Sequence, residues 1–120
     1  MKVVKVSQVH AEAAGGRLFT GAVTRQPVIR GEESKQFVMS QINFSAGVRN
    51  KFHTHTSDQV LIVTSGKGIC ATEQEERTVF PGDVILFPAG EKHWHGATPD
   101  SAFSHIFVTG PGSTTTQIEE

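Results

Sequence analysis

The chain has a single cysteine, Cys70, among its 120 residues, which excludes an internal disulfide. Cys70 lies in an Ile-Cys-Ala run and reads as a small buried thiol rather than a nucleophile. Neither charge sign is in excess: 11 basic residues stand against 12 acidic ones, for a formal charge of −1. That balance lacks the footprint of a nucleic-acid or anionic-membrane binder. No stretch approaches the roughly 18 consecutive apolar residues of a spanning helix. The opening Met1 to Gln8 also lacks the apolar run of a secretion signal, so a soluble, cytoplasmic protein is expected. Amphipathic helices are missing too, since no long window repeats apolar residues at i, i+3, i+4 and i+7. There is no internal repeat and no linker.

What is present is a series of short alternating segments punctuated by Gly, Pro, Ser and Asp. Strands are expected over residues 3–6, 17–23, 28–30, 36–44, 51–55, 59–64, 69–72, 78–80, 84–87, 93–97 and 102–109. Residues 11–16 suit a loop or single helical turn, and 74–77 a polar loop. Ser65-Gly-Lys-Gly68 supplies a tight turn. Val84-Ile-Leu-Phe87 is wholly apolar, which suggests a strand buried on both faces. About ten short strands at close spacing predict an all-β barrel or sandwich. One domain is expected over residues 1–109, with a polar, breaker-rich tail over 110–120 outside the core.

Five of the 6 histidines lie between positions 53 and 105. His53 and His55 are one residue apart, so in a strand they share a face, and His93 and His95 repeat the arrangement. Gln59 follows four residues after His55 and joins them if the chain turns between. Three imidazoles and one amide oxygen form a donor set that suits several first-row divalent ions. Histidines on strands also occur as ordinary polar or surface residues, and spacing alone leaves that alternative open.

The spacing Gly47-x5-His53-x-His55-x3-Gln59-x6-Gly66 resembles the first cupin motif, with Gln where Glu is usual. Gly82-x5-Pro88-x-Gly90-x2-His93 resembles the second, with Ala97 in place of its usual terminal Asn. The resemblance implies a double-stranded β-helix, a jelly-roll barrel, with His53, His55, Gln59 and His93 as metal ligands. Leu18-Phe-Thr-Gly-Ala-Val23 and Gly90-Glu-Lys-His-Trp-His-Gly-Ala97 are similar to segments of the small bacterial manganese cupins with hydroxynitrile lyase activity. That likeness implies Mn2+, with Fe2+, Zn2+, Ni2+ or Co2+ as alternatives, and a homodimer or homotetramer. Residues 3–6 are the candidate edge for such an assembly. A neutral Gln59 leaves a divalent ion its full charge, which favours Lewis-acid chemistry over stabilising a higher oxidation state.

His95 shares the face of His93, and His105 shares one with Phe103, Phe107 and Thr109. Both are candidate acid/base groups, with hydrogen-bonded core histidines as the alternative. Strand parity adds Ser40, Ile42, Phe44, Leu61, Phe107 and Thr109 as a mainly apolar wall for a small-molecule substrate, or as core. Trp94 points the other way, towards sheet packing or a subunit contact, and Lys51 suits a solvated position. Three functions follow: a lyase on cyanohydrins such as (R)-mandelonitrile, a manganese or iron dioxygenase, and a non-catalytic metal-stabilised binding module.

Overall fold

A computed structural model describes all residues, 1–120. After a 3₁₀ turn at Val6–Gln8 come eleven strands. They are β1 (Glu12–Ala13), β2 (Val23–Ile29), β3 (Val38–Phe44), β4 (His53–His55), β5 (Gln59–Gly66), β6 (Gly68–Thr72), β7 (Glu76–Val79), β8 (Val84–Phe87), β9 (His93–Ala97), β10 (Phe103–Thr109) and β11 (Thr115–Gln117). One sheet has the order β1-β2-β3-β10-β5-β8 and the other β11-β4-β9-β6-β7, with all pairings antiparallel. This is the expected all-β jelly roll.

Alternation along the central strands explains how the core fills. On β3, Ser40, Ile42 and Phe44 are buried, and on β5 so are Gln59, Leu61 and Val63. The intervening positions of the larger sheet carry a polar lattice on its outer face. Gln41 donates to Gln26 and Asn43, Asn43 donates to Thr24 and Gln26, and Ser104 donates to Asn43. Polar-out, apolar-in alternation of this kind fixes register, because a one-residue slip would bury the amides and expose Ile42 and Phe44. The interior is not wholly apolar: His53, Gln59, His93, His95 and His105 are all buried inside it.

Several segments differ from the sequence expectation. Residues 3–6 do not form a strand; Gln26 Nε2 donates to the carbonyls of Val6 and Val9, so side-chain bonds replace a ladder there. The expected strands at 17–23 and 28–30 become one strand, β2, which begins at Val23 and tolerates Pro27 beside an irregularity in its pairing with β3. Leu18-Phe19 instead lies against the β4 approach through a bridge between Phe19 and Asn50. The loop at 11–16 contains β1, and the polar loop at 74–77 already contains the start of β7. β8 is not buried on both faces: Val84 is 65% and Leu86 59% exposed, because β8 is an edge strand whose outer face lies open. The tail contributes a strand. Residues 115–117 pair with 53–55, and Glu119 accepts from the Phe52 amide and the Arg49 guanidinium.

The turn after β5 places its glycine under two constraints. Gly66 has φ +75, and a Cβ there would lie 1.9 Å from the Ala102 carbonyl oxygen. Gly90 also has a positive φ, +82, yet a Cβ there would meet nothing within 4 Å. Chemical denaturation should separate the two effects. Gly90→Ala is expected to cost about 1 kcal/mol, from backbone conformation alone. Gly66→Ala should cost about 3 kcal/mol or more, because the β5–β10 pairing must also shift. Equal losses would refute the close-approach account.

Candidate metal centre and cavity

β4 and β9 lie side by side with His53 directly opposite His93. Alternation on β4 brings His55 to the same side, and Gln59 opens β5 across the barrel. The ligand atoms of His53, His55 and His93 all lie within 4.8 Å of one another. Each ring is oriented from behind. His53 Nδ1 donates to the Lys51 carbonyl at 2.6 Å, and His93 Nδ1 donates to the Glu91 carbonyl at 2.9 Å. His55 Nδ1 is bonded to the Thr115 hydroxyl at 2.9 Å. A carbonyl can only accept, so the protons of His53 and His93 sit on Nδ1 and their Nε2 atoms carry bare lone pairs.

The donor set fits a cation. His93 Nε2 faces the Gln59 carbonyl oxygen at 3.2 Å, two acceptors with no proton between them. His55 Nε2 is buried with no hydrogen-bond partner. Converging lone pairs in a buried place are costly unless something positive lies among them. The three histidines can therefore hold a divalent metal, with Gln59 placed to complete the set. The backbone and Thr115 bonds behind the rings are the outer support such ligands need. Phe87 stacks on His93 with ring centroids 3.9 Å apart and closes the back of the site.

The cluster opens onto a cavity of about 260 Å³. Of the wall expected from parity, Ile42, Phe44, Phe107 and Thr109 line it, as do His95 and His105. Ser40 and Leu61 do not. Both are buried, and Phe107 stands directly opposite each of them in the ladder, so the larger ring forms the surface between them. Leu18, Phe19, Arg25, Asn50, Ser113 and Thr115 also line the cavity and were not anticipated. Arg25 shares the parity of Val23 and would have followed from a correct start of β2. Thr115 lay in the supposed tail. Trp94 points away, as expected, beneath the Arg49 guanidinium at 4.5 Å.

The two further histidines differ in their bonding. Asn50 brackets His95: its carbonyl oxygen accepts from the His95 backbone N–H at 2.8 Å, which leaves its NH2 to donate to His95 Nε2 at 3.2 Å. Neutral His95 is thereby held with its proton on Nδ1, an atom buried without a partner. His105 is fully buried, and neither of its ring nitrogens has a partner. Its ring lies 4.8 Å from that of His95, edge to face. Cys70 is buried, and burial pushes its thiol up to about 12, so it is inert.

Burial, the largest cause in each case, pushes His53 and His105 down to about 4 and His93 to about 3. His55 is lowered by the same cause. In the unfolded chain these rings titrate near the ordinary value of about 6.5. Between about pH 6.5 and 4 the unfolded state therefore binds more protons, and the stability of metal-free protein falls as pH falls. The loss should be on the order of 1–3 kcal/mol for each of His53, His93 and His105. Thermal unfolding after chelation should show Tm dropping steadily from pH 7 to pH 4.5, with a shallower slope for His105→Phe. A flat profile would contradict neutral buried rings.

Comparison with known proteins agrees with this geometry. The cupin-domain family profile matches residues 41–109. An (R)-mandelonitrile lyase of Granulicella tundricola is 35% identical over 112 residues, covering 88% of this chain and 83% of that protein. An acireductone dioxygenase of Bacillus thuringiensis is 38% identical over 69 residues, covering 52% of this chain and 41% of that protein. A cupin-like protein of Thermotoga maritima superposes with a TM-score of 0.84 at 28% identity, over 90% of this chain and 84% of the other. The polyketide cyclase RemF of Streptomyces resistomycificus shares the fold, with a TM-score of 0.89 at 20% identity over 100% of this chain and 87% of its own. With both motifs folded around one cluster of histidines and a profile match across more than half its length, the chain belongs to the cupin family.

Proposed function

We propose that the protein is a metal-dependent lyase that cleaves and forms cyanohydrins such as (R)-mandelonitrile. The observation that carries this reading is the pairing of an uncharged donor cluster with His105, a buried ring in the cavity wall with both nitrogens free. The likeness to the (R)-mandelonitrile lyase over 88% of the chain supports it. His53, His55, Gln59 and His93 would hold the ion, Mn2+ in this reading, and it would supply Lewis acidity that makes a substrate hydroxyl easier to deprotonate.

The chain's own residues divide the remaining work. His105 accepts the hydroxyl proton at a free ring nitrogen. As the C–O bond becomes a carbonyl, the C–CN bond breaks and its electron pair leaves with cyanide. His95, whose Nδ1–H is set by Asn50, offers the departing cyanide a hydrogen bond while keeping its proton, and His105 passes the proton it took from the hydroxyl to the cyanide, so both rings end neutral. The overall change is cyanohydrin to aldehyde plus hydrogen cyanide, with no net proton gained. Phe44, Phe107 and Ile42 offer the aryl group an apolar wall.

A second reading, a metal-dependent dioxygenase, draws on the likeness to acireductone dioxygenase, of which the chain spans well under half. Gln59 weighs against it, because a neutral ligand does less to stabilise an oxidised metal than a carboxylate does. Manganese-loaded protein should release benzaldehyde from (R)-mandelonitrile, and His53→Ala should abolish both metal retention and release. His105→Ala should retain metal while kcat falls about 100-fold or more. Oxygen uptake with no benzaldehyde release would reverse the preference between the two readings.

A further inference from the structure

The cavity wall contains one permanently charged side chain. Among its 18 lining residues are no aspartate and no glutamate, and Arg25 is the only lysine or arginine. The other ionisable groups there are histidines that burial keeps neutral. Arg25 takes part in none of the five ion pairs of the chain and makes no side-chain hydrogen bond. Its cross-strand neighbour on β1, Glu12, stays outside the cavity and does not pair with it. Arg25 also borders a second cleft beside β1, which Glu12 lines as well, so it stands where the cavity meets the surface.

Register gives its distance from the chemistry. Arg25 on β2 is opposite Ile42 on β3, and Ile42 is opposite His105 on β10, so all three share one row across the sheet. Two inter-strand steps separate the backbones of Arg25 and His105 by about 10 Å. The row runs from a planar, five-donor cation at the mouth, across an apolar residue, to an unpartnered buried imidazole. A molecule matching it has an anionic group at one end, a small apolar body, and an oxygen at the other end.

We propose that the substrates this site prefers carry a carboxylate, which Arg25 takes in a bidentate contact while the reacting oxygen faces His105 and the histidine cluster. The proposal rests on the reading of this cavity as the substrate site, and it ranks small arylalkyl compounds that carry a carboxylate above neutral ones such as mandelonitrile, which the site still admits. Arginine suits the role because its fork matches both carboxylate oxygens, whereas a lysine would act as a point charge. Gln59 strengthens the preference, since no anionic ligand at the cluster opposes a second negative charge in the cavity.

Phenylacetate and phenylacetamide have the same size and differ in charge, so their binding isolates the contribution of Arg25. Ligand-detected NMR titration would be run on the full chain, with and without manganese, for wild type, Arg25→Met and Arg25→Lys. Metal-free wild type should bind phenylacetate about fivefold or more tightly than phenylacetamide. Arg25→Met should bring the ratio to about one, chiefly by weakening phenylacetate, and Arg25→Lys should fall between. Equal affinities in the metal-free wild type would overturn the proposal, as would a preference that survives Arg25→Met. A preference seen only with manganese would assign the anion to the metal and overturn it too. None of these readouts needs turnover. Lack of mandelonitrile cleavage alongside the expected ratios would remove the lyase reading and leave the carboxylate site standing, and the converse result would do the opposite.

Discussion

The structure depends on how three imidazole rings are held from behind. Backbone carbonyls of Lys51 and Glu91 take the Nδ1 protons of His53 and His93, and the Thr115 hydroxyl meets His55. Only then do three Nε2 lone pairs converge on one point beside the Gln59 oxygen. The two carbonyls belong to residues two positions before each histidine, just ahead of β4 and β9. The same local geometry is thus used twice, on adjacent strands whose pairing sets His53 against His93. Loss of that pairing would separate the ligands even if every ring remained intact.

The electrostatics of the interior follow from the same arrangement. Four buried histidines and the half-buried His55, without a carboxylate among them, give an interior that is polar yet uncharged. Such an interior can be packed with aromatic rings, and Phe44 and Phe87 lie directly against it. Glutamate in place of Gln59 would put a formal charge in that setting, at a desolvation cost that only a bound cation could offset. The neutral ligand therefore lowers the cost of folding without metal as well as shaping the chemistry once metal is present.

Much of this could be read from the sequence where alternation was undisturbed. β3 and β5 alternate inward and outward, and the starts of β9 and β10 do the same, so the inward positions of Ile42, Phe44, His95, His105 and Phe107 follow from strand parity. Legibility failed where the ladder is irregular or the partner is distant. Pro27 disguised a continuous β2, and with it the inward face that carries Arg25. The apolar run of β8 gave no sign that it lies at a sheet edge, because exposure there depends on topology rather than on the run itself. The polar residues 110–120 resembled a loose end because β11 earns its order from β4, some 60 positions away, and from Glu119 at the Phe52 amide and Arg49. Asn50 escaped notice because its amide acts through His95, which nothing in the local pattern announces.

β11 has a consequence for how the molecule matures. β4 has only three residues and meets β9 at a single register pair, while β11 pairs with it along its whole length. The hydroxyl that orients His55 arrives on that same last strand. During synthesis the candidate ligands His53, His55, Gln59 and His93 all emerge before the segment that pairs with β4 and braces two of them. A nascent chain thus carries every one of these donor atoms before β11 is there to pair with β4 and to orient His55.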